Sequence, residues 1–238
     1  MRCANYTRLV CVVAFLLVAA CSTAPVEKKD AKEREVELPV VDPSAIVTRV
    51  PSPNPYDQLA EPNDPAVRAM FEKANALMAK QQWASAEALL LQAIAQAPSY
   101  AGLYYNLGRV YQKLNRPEDA EAQYRNATGL NSQHIYAYNA LAQLKREAGA
   151  FEEAEALYKQ ALAVWPDHAD SYKNLGILYD LYMGKLPEAL VQYKNYQALQ
   201  PEPDRLMAAW IIDLERRLPA APASEPAPVE AADEVSAE

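Results

Sequence analysis

A pattern of large and small residues that returns every 34 positions constrains the fold of this chain more than any other feature. It is clearest in residues 101–134, where two short helices are predicted on either side of a break. The first helix carries an apolar stripe at helical spacing, formed by Tyr104, Leu107, Gly108 and Tyr111. The second begins near Pro117, and its stripe is formed by Ala120, Tyr124 and Ala127. Because a lone helical hairpin of this size cannot bury its own apolar face, it must stack on neighbouring copies.

Four consecutive copies of the pattern are present, at 67–100, 101–134, 135–168 and 169–203, the last with a one-residue insertion near Gly184. Their common order is an aromatic residue, Leu-Gly, a Tyr, an Ala, an aromatic residue, an Ala and a closing Pro. This order resembles the tetratricopeptide repeat. The first copy departs most from it, as terminal repeats do. The resemblance covers residues 67 to about 201 and implies an all-α fold, a right-handed α-solenoid of about four helical hairpins.

A last amphipathic run, 204–218, follows the repeats and is predicted to be a capping helix. Its apolar residues fall on one side and are Leu206, Trp210, Ile211 and Leu214. We expect this side to cover the final repeat, which has no further neighbour to pack against.

The first 20 residues have the composition of a secretion signal, with Arg2 and Arg8 ahead of an uncharged apolar run. That run, 9–20, is shorter than the roughly 20 residues that a membrane-spanning helix needs. Residues 18–21, Val-Ala-Ala-Cys, resemble the lipobox of bacterial lipoproteins. The resemblance implies that the signal is cut before Cys21, that Cys21 carries the lipid, and that the protein sits at the outer membrane facing the periplasm. Ordinary signal cleavage, with the cysteine present by chance, is the alternative.

Two segments outside the repeats are predicted to be disordered. Residues 21–66 form a charged and then proline-rich linker, and residues 219–238 form an acidic tail rich in Ala and Pro. For residues 38–59 the alternative is an extended segment that docks on a partner or on the repeats. For the tail, a solvated end and an acidic arm that binds a basic partner are both open.

Composition argues against several classes of function. The chain carries a net charge of -8 and has no cluster of Lys and Arg, so nucleic acid is not an expected partner. No nucleophile, phosphate-loop or dinucleotide motif is present, and we predict neither an enzyme nor a cofactor or small-molecule substrate. His134 and His168 are 34 residues apart and so occupy one structural position twice. Capping of a helix end explains them better than a metal, for which further ligands are lacking.

Stacked helical pairs offer a concave surface formed by the first helix of each pair. Reading the inward positions from the repeat gives an aromatic, amide-rich and mildly basic groove. Its predicted partner-binding residues are Phe71, Asn75, Tyr105, Asn106, Arg109, Gln112, Tyr136, Asn139, Gln143, Arg146, Lys173 and Asn174. Tyr and Arg often anchor interfaces, and Asn can bond a peptide backbone in both senses. Ordinary solvated helix surface is the alternative interpretation of these positions.

Some proteins of the repeat family bind a chain-terminal carboxylate through Lys, Arg and Asn at fixed positions. Phe71, Tyr136 and Ala140 stand here in the three basic positions, so that mode of recognition is not expected. The resemblance implies a membrane-anchored adaptor that binds a protein or peptide partner through the groove. Two narrower roles are also open: a pilotin-like lipoprotein of type IV pilus or secretin assembly, and an adaptor for cell-wall synthesis or hydrolysis enzymes.

Overall fold

The computed structural model describes residues 49–58 and 64–218. Within these two stretches the regular structure is helical, without a strand. A 3₁₀ turn, Pro55–Gln58, comes first. The α-helices follow in the order α1 Pro65–Ala79, α2 Trp83–Gln96, α3 Ala101–Lys113, α4 Pro117–Leu130, α5 Ile135–Glu147, α6 Phe151–Val164, α7 Ala169–Ile177, α8 Leu186–Ala198 and α9 Arg205–Arg217. The predicted all-α solenoid of helical hairpins is confirmed.

Consecutive helices pair into four hairpins, α1–α2, α3–α4, α5–α6 and α7–α8, and each hairpin packs on the next. One large side chain of each second helix is buried at an equivalent place in every hairpin. These residues are Leu90, Tyr124, Tyr158 and Tyr193, all at most 1% exposed. Burial of these aromatic and aliphatic side chains is the main source of stability expected for such an array.

Two glycines in the first helices make room for those tyrosine rings. A Cβ at Gly108 would lie 2.5 Å from the ring of Tyr124, and one at Gly176 would lie 2.5 Å from the ring of Tyr193. Such distances are well inside van der Waals contact. The space that the missing side chain of Gly108 leaves is therefore filled by an aromatic ring of its own hairpin.

The tight turn inside each hairpin contains a residue with positive φ. These residues are Gln81, Asn115, Gly149 and Gly184, with φ between 57° and 80°. Glycine meets this requirement without strain, and asparagine tolerates it better than most residues. The repeat period is thus visible in the backbone as well as in the side chains.

The inserted residue of the fourth repeat is absorbed by a change of helix type. After α7 the chain continues as a π-helical segment, Leu178–Met183, and ends at Gly184 with φ of 64°. A π-helical turn holds one residue more than an α-helical turn, so the extra residue is accommodated without shifting α8 out of its place.

The capping helix forms where it was predicted, and its buried face agrees with part of the predicted apolar stripe. Met207, Ala208 and Leu214 are buried, whereas Leu206 is 54% and Trp210 is 38% exposed. Of the predicted stripe, Leu214 is buried and Ile211 packs against the core. The Trp210 ring lies 5.8 Å from that of Tyr193. The contact with the last repeat therefore includes most of the predicted stripe and extends to Met207 and Ala208, whereas Leu206 lies outside it. Asp204 starts the helix, because its carboxylate accepts hydrogen bonds from two backbone N–H groups of the first turn.

Residues 49–58 do not follow the prediction of a disordered linker. They lie against the repeats through hydrogen bonds, an ion pair and ring contacts described below, which is the docking arrangement considered as an alternative for residues 38–59. The first helix also begins earlier than predicted, at Pro65, since Asp64 accepts a hydrogen bond from the N–H of Ala66 at 2.8 Å and caps it.

The predicted signal, the lipidation site Cys21 and the acidic tail lie outside the described residues. In the part of the chain that the structure describes, no helix combines the length and apolar character needed to cross a bilayer.

Candidate peptide-binding groove

Half of the predicted groove residues surround one cavity on the first helices of the first three repeats. The cavity has a volume of about 400 Å³. The predicted residues that line it are Phe71, Asn75, Tyr105, Asn106, Arg109 and Tyr136. Met78, Trp83 and Tyr56 complete its apolar wall. The structure therefore brings together predicted side chains that lie up to 65 positions apart in the sequence.

An amide pair and an arginine supply the polar side of this cavity. Asn106 donates through Nδ2 to Oδ1 of Asn75 at 2.7 Å, and Arg109 donates through Nη1 to Oδ1 of Asn106 at 3.4 Å. The Arg109 guanidinium also lies 5.7 Å from the ring centre of Tyr105, within reach of a cation–π contact. Burial raises the pKa of the Tyr105 hydroxyl, so this tyrosine stays neutral. An apolar pocket beside a few fixed polar groups is typical of sites that take one side chain and bond the adjoining backbone.

Three more predicted residues lie in the second half of the groove. Asn139 accepts through Oδ1 from the Ser171 hydroxyl at 3.2 Å and from Nδ2 of Asn174 at 3.3 Å. Lys173 pairs with Asp170 at 3.3 Å. A second cavity of about 360 Å³ lies in this half and shares Tyr136 with the first. Its other lining residues include Pro51, Trp165, Asp167, His168 and Tyr196.

The remaining predicted residues have different roles. Gln112 accepts a hydrogen bond from the buried Tyr124 hydroxyl at 3.0 Å, which ties it to the core. Arg146 lies 5.6 Å over the ring of Tyr182, at the far end of α5. Gln143 is half-buried, and it lines neither of the two cavities, as is also true of Gln112 and Arg146. Helical periodicity selects one face of each first helix but does not show how far along each helix the cavities extend.

Residues 49–56 lie along the groove and run from the last repeat towards the first. Arg49 donates through its backbone N–H to the carbonyl of Ala198 at 2.7 Å and pairs through its guanidinium with Asp167. Ser52 donates to the same carboxylate through its N–H at 2.7 Å and through its hydroxyl at 2.6 Å. The indole N–H of Trp165 donates to the carbonyl of Ser52 at 3.2 Å. This end of the segment is therefore fixed by both charge and hydrogen bonds.

The other end of the segment contacts aromatic residues of the groove. Asn54 donates through Nδ2 to the hydroxyl of Tyr136 at 2.8 Å and is itself buried. The ring of Tyr56 lies 4.3 Å from the ring of His134 and 5.5 Å, edge on, from that of Tyr136. Offset and edge-on ring contacts of this kind are favourable beyond the area that they bury.

Four groove residues were not recognised in the sequence as binding residues. They lie in the turns between repeats and are His134, Trp165, Asp167 and His168. His134 caps α5 as predicted, because its Nδ1 accepts from the N–H of Ala137 at 3.3 Å. His168 occupies the same position before α7, but its Nδ1 lies 2.7 Å from the Ser171 hydroxyl and caps no backbone N–H. A signal was available, since Trp165 and Asp167 replace Asn131 and Gln133 of the preceding repeat, where no bulky aromatic or acid occurs.

Burial and contact with the segment shift the pKa values of these groups. Burial lowers the pKa of His134 to about 4 and also lowers that of His168, so both rings are neutral near pH 7. The hydrogen bonds from Ser52 lower the pKa of Asp167, with the Arg49 charge acting in the same direction. In the part of the chain that the structure describes, no group of three or more His, Cys, Asp or Glu residues is placed to hold a metal ion.

Two family models, both described as tetratricopeptide repeat, match residues 77–144 and 133–202. Together they span more than half of the chain. The chain belongs to the tetratricopeptide repeat family. Proteins built from tetratricopeptide repeats are generally non-catalytic scaffolds for protein–protein interaction.

Curated relatives share only a short part of their length with this tetratricopeptide repeat protein. The protein O-mannosyl-transferase TMTC3 of Mus musculus is 34% identical over 119 residues, which are 44% of this chain and 13% of the relative. The TMTC3 of Homo sapiens is 35% identical over 103 residues, which are 37% of this chain and 11% of the relative. So small a share of the relatives does not carry their transferase activity over to this chain.

Solved structures with the same repeat architecture extend over more of the chain. The pilF structure from Pseudomonas aeruginosa aligns with a TM-score of 0.57 at 24% identity, covering 64% of this chain and 68% of that one. The thermophilic protein TTC0263 of Thermus thermophilus aligns with a TM-score of 0.55 at 24% identity, covering 66% and 84%. YrrB, described as having an unusual peptide-binding site, aligns with a TM-score of 0.52 at 24% identity, covering 62% and 75%. At these identities the likeness shows the shared fold.

Proposed function

We propose that this protein is a lipid-anchored periplasmic adaptor that holds a protein partner through an extended peptide seated in the groove. The observation that supports the binding role is the cavity of about 400 Å³, in which aromatic walls stand beside the Asn75–Asn106 pair and Arg109. The structurally similar YrrB is described as having a peptide-binding site, which agrees with this use of the fold.

The groove can be tested by crosslinking at two matched positions. A photoreactive amino acid replaces Arg109 in the cavity or, as the control, Arg125, an exposed arginine of α4 that pairs with Glu121. We expect position 109 to give a discrete crosslinked product, and position 125 to give at least tenfold less of that product. Equal labelling from both positions, or no discrete product from either, would contradict the groove as the partner site.

The identity of the crosslinked protein also separates the two narrower roles. A secretin or pilus component supports a pilotin-like role in type IV pilus or secretin assembly. A synthase or hydrolase of the cell wall supports an adaptor role for those enzymes. The fold is equally compatible with both, because the same repeats can present different groove side chains.

Anchoring rests on the sequence of residues 18–21 and on the physical effect of lipidation. Two or three acyl chains hold a protein at a bilayer stably, whereas one chain does so only marginally. We expect Cys21→Ser to move most of the protein from the outer-membrane fraction to the soluble or inner-membrane fraction, with Cys11→Ser, which lies in the predicted signal, as the control. If the Cys21→Ser protein fractionates like the unchanged protein, the anchor proposal is wrong.

A further inference from the structure

The segment formed by residues 49–56, here called the strap, is built as a peptide ligand of the groove. Its prolines, Pro51, Pro53 and Pro55, alternate with the residues that make the contacts, Ser52, Asn54 and Tyr56. Proline fixes φ and pushes the residue before it into an extended conformation. Val50, Ser52 and Asn54, which precede these prolines, are therefore restricted to extended backbone up to the 3₁₀ turn that carries Tyr56. Less conformational entropy is lost on docking than for an ordinary loop.

The contacts of the strap select a particular chemistry. The side chain of Asp167 is only 11% exposed, forms an ion pair with Arg49 and accepts two hydrogen bonds from Ser52. Tyr136 accepts from the amide of Asn54, and the ring of Tyr56 lies on that of His134. The groove thus binds four kinds of side chain along the strap: a basic residue, a hydroxyl, an amide and an aromatic ring.

The strap fills only part of the groove. Its contacts run from Ala198 to the turn before α5, and Tyr56 then forms one wall of the cavity that contains Phe71, Asn75 and Arg109. A longer peptide that lies across both cavities would overlap with the strap from Tyr56 back to Arg49. The two cannot occupy that half of the groove together.

We propose that the strap is an intramolecular ligand of the groove and that a partner binds by displacing it with an extended, proline-rich segment of the same chemistry. The displacement step rests on the proposed function, whereas occupancy by the strap does not. Because the strap is part of the chain, its effective concentration at the groove is on the order of millimolar. The apparent affinity of a partner peptide is consequently its intrinsic affinity multiplied by the fraction of molecules in which the groove is free.

Occupancy can be measured without knowing the partner. The probe is a fluorescent synthetic peptide with the sequence of residues 49–58. One receptor is the full chain, and the other is the vacated chain, defined as the full chain with Arg49→Ala, Ser52→Ala, Asn54→Ala and Tyr56→Ala. We expect the probe to bind the vacated chain at least tenfold more tightly than the unchanged chain, as measured by fluorescence anisotropy. Equal affinity for the two chains, or no binding to the vacated chain, overturns the proposal.

Two controls make the test specific. Added to the vacated chain, Asp167→Asn should weaken probe binding about tenfold, whereas Asp119→Asn, an exposed aspartate of α4, should leave it unchanged. A scrambled peptide of the same composition should not bind the vacated chain. Equal loss from both aspartate changes, or equal binding of the scrambled peptide, contradicts recognition by these residues.

A second measurement stays decisive if the vacated chain does not fold. A photoreactive phenylalanine in place of Tyr56 in the otherwise unchanged chain should crosslink to the fragment that contains His134 and Tyr136. Mass spectrometry should find this crosslink within single chains at every protein concentration. A crosslink between two chains that grows with concentration would replace the intramolecular ligand by a second copy, and a crosslink elsewhere would overturn the docking. If either strap experiment fails, the proposed partner site is still tested independently by crosslinking at position 109.

Discussion

At the scale of single residues, His134 shows how one side chain serves both the fold and the groove. Its Nδ1 atom accepts the hydrogen bond that starts α5, and its ring is covered by Tyr56. Its Nε2 atom is buried and has no hydrogen-bond partner among the described residues. A protonated ring would place a charge in this environment without compensation, which is why burial lowers its pKa to about 4.

The stability of the protein should therefore fall in mild acid through His134. The unfolded chain takes up a proton near pH 6.5 and the folded chain only near pH 4, so the contribution is complete above 6.5 and is lost as the pH falls towards 4. Between pH 7.5 and 4.5 we expect this residue to account for roughly 2–3 kcal/mol of lost unfolding free energy. Urea denaturation at the two pH values measures it, with His134→Asn retaining a helix-capping side chain. If His134→Asn shows the same loss between the two pH values as the unchanged chain, the assignment is wrong.

The sequence predicted which residues share the groove face of each first helix better than it predicted what each of their side chains contacts. Periodicity placed Tyr105, Asn106 and Arg109 on one face because that face is a property of the helix alone. It did not distinguish them from Gln112, whose side chain turns to the buried Tyr124 hydroxyl, since that hydrogen bond depends on the neighbouring helix.

At the scale of helices and turns, hairpin packing depends on places where a side chain is absent. The Tyr124 ring lies over Gly108 and the Tyr193 ring over Gly176, so the first helices of the second and fourth hairpins approach their second helices through a glycine. The Leu-Gly pattern of the repeat shows where a side chain is absent, but what fills that space could be known only once the partner helix was in place. The same limit applies to α9, whose burial of Met207 rather than Leu206 is decided by the surface of α8.

Alanine substitutions at two helical glycines should have opposite effects. At Gly108 a new Cβ lies 2.5 Å from the Tyr124 ring and must displace it, which we expect to lower the unfolding free energy by about 1–3 kcal/mol. At Gly129, near the end of α4, a Cβ meets nothing within 4 Å, and alanine should raise stability by roughly 0.5–1 kcal/mol through its helix propensity. Chemical denaturation of the two variants checks the comparison. Two changes of the same sign would show that the ring contact does not control packing.

At the scale of the whole molecule, the strap adds contacts between residues more than 80 positions apart to an architecture held mainly by neighbouring hairpins. Stacked repeats are held mainly by neighbouring hairpins, so their stability is approximately a sum of local terms. The strap connects residue 49 to Ala198 and residue 56 to the turn before α5, across the junctions of the last three repeats. Sequence reasoning left this docking open as one of two alternatives, because proline-rich composition fits an unbound linker equally well and only the surface it meets decides between them.

Removing the strap contacts should make unfolding less cooperative. In the vacated chain we expect a melting temperature lower by about 5 °C, from about 1–2 kcal/mol of lost contacts, and a broader transition. Val50→Ala is the control, since Val50 is 92% exposed and its side chain has little to lose. Circular dichroism melting measures both quantities. Identical curves for the vacated chain and the Val50→Ala chain would mean that the strap contributes nothing to the cohesion of the array.

Because the strap is fixed to the turns of successive repeats, it also has a mechanical consequence. In an array held together by contacts between neighbouring hairpins, small rotations at each junction between repeats add up to a change in curvature and twist. The strap, attached at Asp167, Tyr136 and His134, should resist such rotations, because they change the distances between its attachment points. Exchange of the strap for an outside peptide would therefore change the stiffness of the solenoid as well as the occupant of its groove.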